Sequence, residues 1–427
     1  MRRTYGLLVV LSLVTFGGCQ GAPNVANVPT GGSGVAVPKV VQTGGDDSWA
    51  RFLLHPNDSP VYITTGPDGN MWSTNYGSGH NSILSITMAG VVTRYTLTGG
   101  LGYPLDIVAG PDHALWFTEQ AGIGRITTVG TDTHYPLQGF DTGFITSGPD
   151  GNLWFTAIGG STGYIGRITT GGVITLYALG VSDFVGGIVT GPDGNIWFTV
   201  TGTRKVHGNV GRIMPDGSIT MFPADPSGPR PSQIVLAGDH QLYYLDGGYR
   251  QSLVRVNATT GATTVIGRFK DPINLVPIGQ HFIWYMSNCH CTLTPSVWAI
   301  SLTTGFNEEK IASPYGSVLG RGARGPDGNF WIASEDGSID VAIRKSMLVS
   351  PLSLTMFPTE GANVSVSERF FSGLFTATSG NTSILKIVTN NPSHGPFGVQ
   401  ARATGSTTLT LQDTKGNVAT IPVTVSN

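Results

Sequence analysis

Short β-prone runs, apolar at alternate positions or throughout, recur along most of the chain, and each gives way to a cluster of Gly, Pro, Asp or Asn. That pattern predicts strands joined by tight turns. The turns themselves repeat. Gly-Pro-Asp-Gly-Asn, one further residue and then Trp occupies 66–72, 148–154, 191–197 and 325–331, and a variant, Gly110-Pro111-Asp112-His113, leads to Trp116. Degenerate copies end at Tyr243 and Trp284. The seven aromatic positions lie 44, 38, 43, 46, 41 and 47 residues apart, the period of four-stranded propeller blades.

Each unit reads alike. A short strand (Phe144-Ile145-Thr146) meets a Pro-Asp-Gly turn, in which Pro presets φ and Gly takes the positive-φ position. The returning strand (Leu153-Trp154-Phe155-Thr156) carries the aromatic, and a third (Ile165-Gly166-Arg167-Ile168) and an outer fourth (Thr175-Leu176-Tyr177-Ala178-Leu179) follow. No outer strand follows the seventh aromatic, but Ala50-Arg51-Phe52-Leu53-Leu54 has its pattern and precedes the first blade. Lending that strand to the last blade closes a ring and removes two sheet edges. From Pro351 the repeat stops, and strands expected over 353–357, 372–378, 384–388, 399–404, 407–412 and 418–425 suit a small sandwich. The expected fold is all-β: a seven-bladed β-propeller over 49–348, then an immunoglobulin-like β-sandwich over 351–427.

Composition and the N-terminus place this body outside the cytoplasm. Gly 61 and Pro 26 against 12% charged residues is a turn-rich profile. Arg2 and Arg3, an apolar run over 7–16 and Gly17-Gly18-Cys19 read as a secretory signal. The run is too short to span a bilayer, which takes about 20 residues. Its end resembles the lipobox of bacterial lipoproteins, which implies lipidation at Cys19 and a membrane anchor, periplasmic or at the cell surface. An ordinary signal peptide with an incidental cysteine is the alternative. Residues 20–48 read as a flexible tether. With Cys19 spent, the remaining cysteines, Cys289 and Cys291, allow a local disulfide or an isolated pair. A formal net charge of -2 gives no reason to expect nucleic acid.

The phrases Gly-Pro-Asp-Gly-Asn-Leu-Trp-Phe-Thr and Gly-Arg-Ile-Thr resemble the virginiamycin B lyase (streptogramin lyase) family of seven-bladed propellers, over residues 50–345. That resemblance implies a Mg²⁺-supported elimination that opens cyclic depsipeptide antibiotics, breaking an ester without water. The family's pattern implies a Glu three residues after a blade's Trp and a His fourteen residues before that Glu. Here the first position holds Asn75, Glu119, Ala157, Val200, Asp246, Ser287 and Ser334. The second holds Val61, Leu105, Gly143, Gly186, Ser232, Ile273 and Gly320. Glu119 alone matches, and an apolar Leu105 stands where the base is required.

The remaining candidates divide into scaffold and rim. Asp68, Asp112, Asp150, Asp193 and Asp327 recur at every turn and read as turn residues, and the tryptophans read as core. Asn75, Glu119 and Asp246, at the ends of second strands, and Tyr103 and Asp271, near the starts of first strands, are the candidate ligand-facing residues at the mouth of the ring. Asn288-Cys289-His290-Cys291 could hold a soft metal but lacks further ligands nearby, and His80, His207 and His240 are scattered without ligand spacing. Three functions stay open. The first is a lipid-anchored binding scaffold for a small molecule, glycan or protein, with no cofactor. The second is a streptogramin-type lyase using Mg²⁺. The third is a lactonase-like propeller with one divalent metal.

Overall fold

The structure, a computed structural model, describes residues 39–41 and 48–426 apart from 78–79, 89, 181–183, 203–206, 227–229, 248–250, 270–271, 279–281, 288–295, 303–306, 313–318, 335, 344–347, 351–353, 368–374, 390–396 and 414–417. Cys19, Asp271 and the 288–291 cluster lie outside the described residues. Two compact units divide between Ile343 and Arg344.

The first unit is a propeller of seven antiparallel sheets, six of four strands and one of five. Blade 2 is representative: Pro104–Ala109, Leu115–Glu119, Gly122–Ile126 and Asp132–Pro136 run from the innermost strand outward. The seventh blade supplies Leu319–Arg324, Phe330–Ser334 and Ser338–Ile343 from its own repeat. Its fourth strand is Ser48–Leu53, which pairs with Ser338–Ile343 and closes the ring. Lys39–Val41 pairs outside Ser48–Leu53, so part of the stretch expected as a tether is a strand.

The repeated letters have one structural meaning. In five blades the Trp is fully or almost fully buried, and its indole N–H donates to the turn's Asp: Trp72 to Asp68, Trp116 to Asp112, Trp154 to Asp150, Trp197 to Asp193 and Trp331 to Asp327, at 2.9 to 3.1 Å. The Gly that opens each turn lies against that indole, so a Cβ there would enter the ring's van der Waals surface. On the other side, the outer-strand aromatic stacks on the Trp, as Tyr95 does on Trp72 and Tyr177 on Trp154 at centroid distances of 5.5 and 5.8 Å. The Trp positions also feed the cores between blades: Trp154 packs with Ile188 and Phe198 of the next one.

The second unit is a sandwich of two four-stranded sheets. One runs Leu348–Ser350, Gly361–Ser367, Phe397–Ala401, Leu385–Thr389, and the other Leu354–Met356, Val418–Val425, Gly405–Asp413, Phe375–Ser379. A single core that includes Val364, Phe375, Phe397, Leu411 and Val423 joins them. The structure moves the expected boundary: Leu348–Ser350 pairs with Gly361–Ser367 in the sandwich instead of ending the propeller. Neither strand stands out in the sequence, because one has three residues and the other interleaves small polar residues around a buried Val364.

Candidate functional site

Every blade's innermost strand carries a register break near its start, for example between Pro60 and Ile63, Pro104 and Ile107, and Pro231 and Ile234. A bulge of this kind re-aims the side chain at the break. A second-strand threonine fills the gap in the first three blades, accepting the N–H of Tyr62 (Thr74), Asp106 (Thr118) and Phe144 (Thr156) at 3.2, 3.1 and 2.9 Å. Thr74 and Thr118 also donate to the next blade, at Leu105 O and Gly143 O.

The re-aimed residues line the central channel, a cavity of about 120 Å³. One comes from each blade: Tyr62, Asp106, Phe144, Gly187, Gln233, Asn274 and Arg321. They bind the ring together. Asp106 accepts from its neighbour Ile107 and from Ile145 of blade 3, both at 3.0 Å. Gln233 pairs with both backbone groups of Leu275 in blade 6, at 2.7 and 3.1 Å. Arg321 donates to Ile273 O at 2.9 Å, and its guanidinium lies 5.3 Å from the Tyr62 ring and 6.0 Å from Phe144. Burial pushes the Asp106 carboxyl up to about 6, against the two backbone N–H groups and Arg321.

The residues expected to face a ligand divide. Asn75, Glu119 and Asp246 stand at the ends of second strands but are fully buried. Each holds the chain that enters the innermost strand: Asn75 Oδ1 accepts Ser59 N–H, Glu119 Oε1 accepts Leu101 N–H and Asp246 Oδ1 accepts Arg230 N–H, at 2.8, 3.1 and 3.0 Å. Tyr103 is part-exposed at the mouth, its ring 6.0 Å from that of Tyr76.

A His–Glu contact exists that the family's spacing does not reveal. His134, on the outer strand of blade 2, lies between two carboxylates, with Nδ1 2.7 Å from Glu119 Oε2 and Nε2 2.9 Å from Asp132 Oδ2. Glu119 raises its pKa, burial opposes that, and Asp132 adds to it. With both ring nitrogens engaged, His134 has no lone pair for a substrate proton. Its position shows its role. Arg51 and Arg94 likewise precede the stacked outer aromatic of their blades, and each meets a buried acid: Arg51 Nε lies 2.7 Å from Asp340, and Arg94 pairs with Asp58. The signal in the sequence was the doublets Arg51-Phe52, Arg94-Tyr95 and His134-Tyr135.

Among the described residues the donors do not gather into a site for Mg²⁺. Among the described residues no group of three or more His, Cys, Asp or Glu could hold a metal. Glu119 and Asp246 sit on different blades and hold backbone N–H groups. Asp106 is the one carboxylate among the described residues that line the channel.

A sequence profile of the Virginiamycin B lyase family matches residues 34–291. No curated protein matches the chain by sequence. Among solved structures, the selenomethionine-substituted virginiamycin B lyase from Staphylococcus aureus superposes with a TM-score of 0.59 at 24% identity, covering 70% of this chain and 99% of that one. A catalytically inactive variant of the same lyase, solved with quinupristin, has a TM-score of 0.59 at 25% identity over the same shares. An oligogalacturonate lyase from Vibrio parahaemolyticus shares the fold at 11% identity and a TM-score of 0.55, over 72% of this chain and 96% of that one.

Proposed function

This chain belongs to the virginiamycin B lyase family, and on that premise we propose that it is an exported, lipid-anchored binding protein in which a lyase-like ring has become a recognition scaffold. One observation carries the proposal. The acid that matches the family pattern, Glu119, is fully buried and spends its oxygens on Leu101 N–H and His134, while Leu105 stands where the family's base belongs. A lyase of this kind needs a base that reaches an acidic C–H and a cation that holds the enolate. Among the described residues that line the channel, the one acid, Asp106, has both oxygens taken by the Ile107 and Ile145 N–H groups, and the cation, Arg321, is stacked on Tyr62 and Phe144.

The reading of the anchor rests on Arg2-Arg3, the apolar run and Gly17-Gly18-Cys19. The sandwich we read as immunoglobulin-like. Lettered in chain order, its strands give ABED in one sheet, and in the other GFC with a split first strand parallel to the last. Such a module suits a spacer or a second contact surface.

Equilibrium binding of a small-molecule and glycan library to the purified chain tests the proposal. Saturable binding that Tyr103→Ala weakens, with the ligand recovered unchanged, is the expected outcome. Conversion of the bound ligand into product would overturn it.

A further inference from the structure

Register pairing fixes which residues stand at equivalent places around the mouth. Pro60, Pro104, Thr142, Val185 and Pro231 each face the end of a second strand. The residues just before them are Ser59, Tyr103, Asp141, Phe184 and Arg230, so blades 2, 3 and 4 present Tyr, Asp and Phe side by side. Phe184 is 50% exposed, and Tyr76 of blade 1 is 37% exposed with its ring 6.0 Å from Tyr103. Tyr76 on blade 1 and Phe184 on blade 4 are thus large aromatics left open to solvent, with part-exposed Tyr103 on blade 2 beside the first.

Among the described residues, the carboxylate between them lacks a counter-charge. Asp141 makes no side-chain hydrogen bond and no ion pair among the described residues, yet it is partly withdrawn from water, which raises its pKa. Its charge in turn raises the Tyr103 hydroxyl, after burial and ahead of Tyr76. Five arginines of the ring, Arg51, Arg94, Arg125, Arg167 and Arg212, each lie within 4.0 Å of an Asp. Arg230, the cation of the mouth set, stands two blades away.

We propose that the mouth over blades 2 to 4 binds an organic ammonium ion, with Asp141 as the counter-charge and Tyr103, Tyr76 and Phe184 as its aromatic walls. Aromatic faces attract a weakly hydrated cation through the ring quadrupole, and a partly desolvated carboxylate adds charge where, among the described residues, no protein cation pairs with it. A neutral sugar would use the same walls but has no need of Asp141's charge. The proposal rests on the reading of the mouth as a binding site.

Choline and its uncharged isostere 3,3-dimethylbutan-1-ol differ in the charge alone. Titrated by calorimetry or by NMR of the Tyr resonances, the full chain should bind choline saturably and the isostere at least about fivefold more weakly, as one cation–π contact with a charge partner requires. Asp141→Asn, which keeps shape and removes charge, should weaken choline about fivefold or more, and Tyr103→Ala should weaken it as well. Both variants should unfold at the wild-type temperature. Equal affinity for choline and the isostere, or choline binding untouched by Asp141→Asn, would overturn the proposal. So would the absence of saturable choline binding. If library ligands without charge still bind in a Tyr103-dependent way, the mouth remains a site and the ammonium assignment alone fails.

Discussion

At the scale of single residues, polar positions in three blades vary in concert. In blades 1, 2 and 7 the second strand ends in Asn75, Glu119 or Ser334 and the outer strand carries a cation, Arg94, His134 or Arg51, whereas Asp246 of blade 5 goes with Val265 at that place. Where the second strand holds Ala157 or Val200, the outer strand carries Leu176 or Met221 at that place. Glu119 is therefore half of a structural pair, and His134 is a titrating stand-in for arginine. Because the folded-state pKa of His134 is raised, the stabilisation it gives is complete below the unfolded value near 6.5 and fades as pH rises through the folded value. His134→Gln should cost about 2 kcal/mol near pH 6 and progressively less toward pH 9, read from urea midpoints. A cost that does not change with pH would contradict this account. The doublets were visible in the sequence, but the contact to Glu119 was not, since it depends on which strands face each other across a blade.

At the scale of the element, the Pro-Asp-Gly turn and the strand after it form one unit. Asp150 accepts the indole N–H of Trp154, the backbone N–H of Asn152 and the Asn152 side chain, so it closes the turn and fixes the core aromatic together. Asp150→Ala should lower stability by about 1 to 2 kcal/mol. Gly148→Ala should cost about 3 kcal/mol or more, because a Cβ there meets the Trp154 ring. Thermal unfolding of the two variants checks the order, and an Asp150→Ala cost within error of zero would remove the turn from the account. The turn could be read from the sequence because its residues, Pro, Asp and Gly, each have a local reason to be there. The channel could not. Strict alternation along the innermost strand gives no reason to select Tyr62, Asp106 and Phe144, and the bulge that turns them inward appears only in the pairing register.

At the scale of the whole chain, seven repeats and a borrowed strand give a ring with no open join. Phe52 of the borrowed strand stacks on Trp331 at 5.5 Å and is 6% exposed, so the closure is also a piece of core. Phe52→Ala should cost about 3 to 4 kcal/mol. Removing residues 1–54 should cost more still and lose the single cooperative transition in calorimetry, whereas removing 1–38 should leave it in place. A chain lacking 1–54 that unfolds as one transition at the wild-type temperature would show that the ring does not depend on this strand. The architecture was legible because the period of the repeat survives even where its letters decay, as at Tyr243 and Trp284. The sandwich was less so, since it has no repeat and two of its strands are short or weakly apolar.

The proposed loss of depsipeptide ring opening can be tested on the whole protein. Elimination adds no water, so a ring-opened product would have the substrate's mass and differ in structure alone. Quinupristin, incubated with the full chain and Mg²⁺ and followed by chromatography with NMR of the recovered material, gives the direct test. The account predicts the intact cyclic compound after long incubation. A linear isomer of unchanged mass, bearing a new carboxylate and a new alkene and formed in proportion to protein, would contradict it.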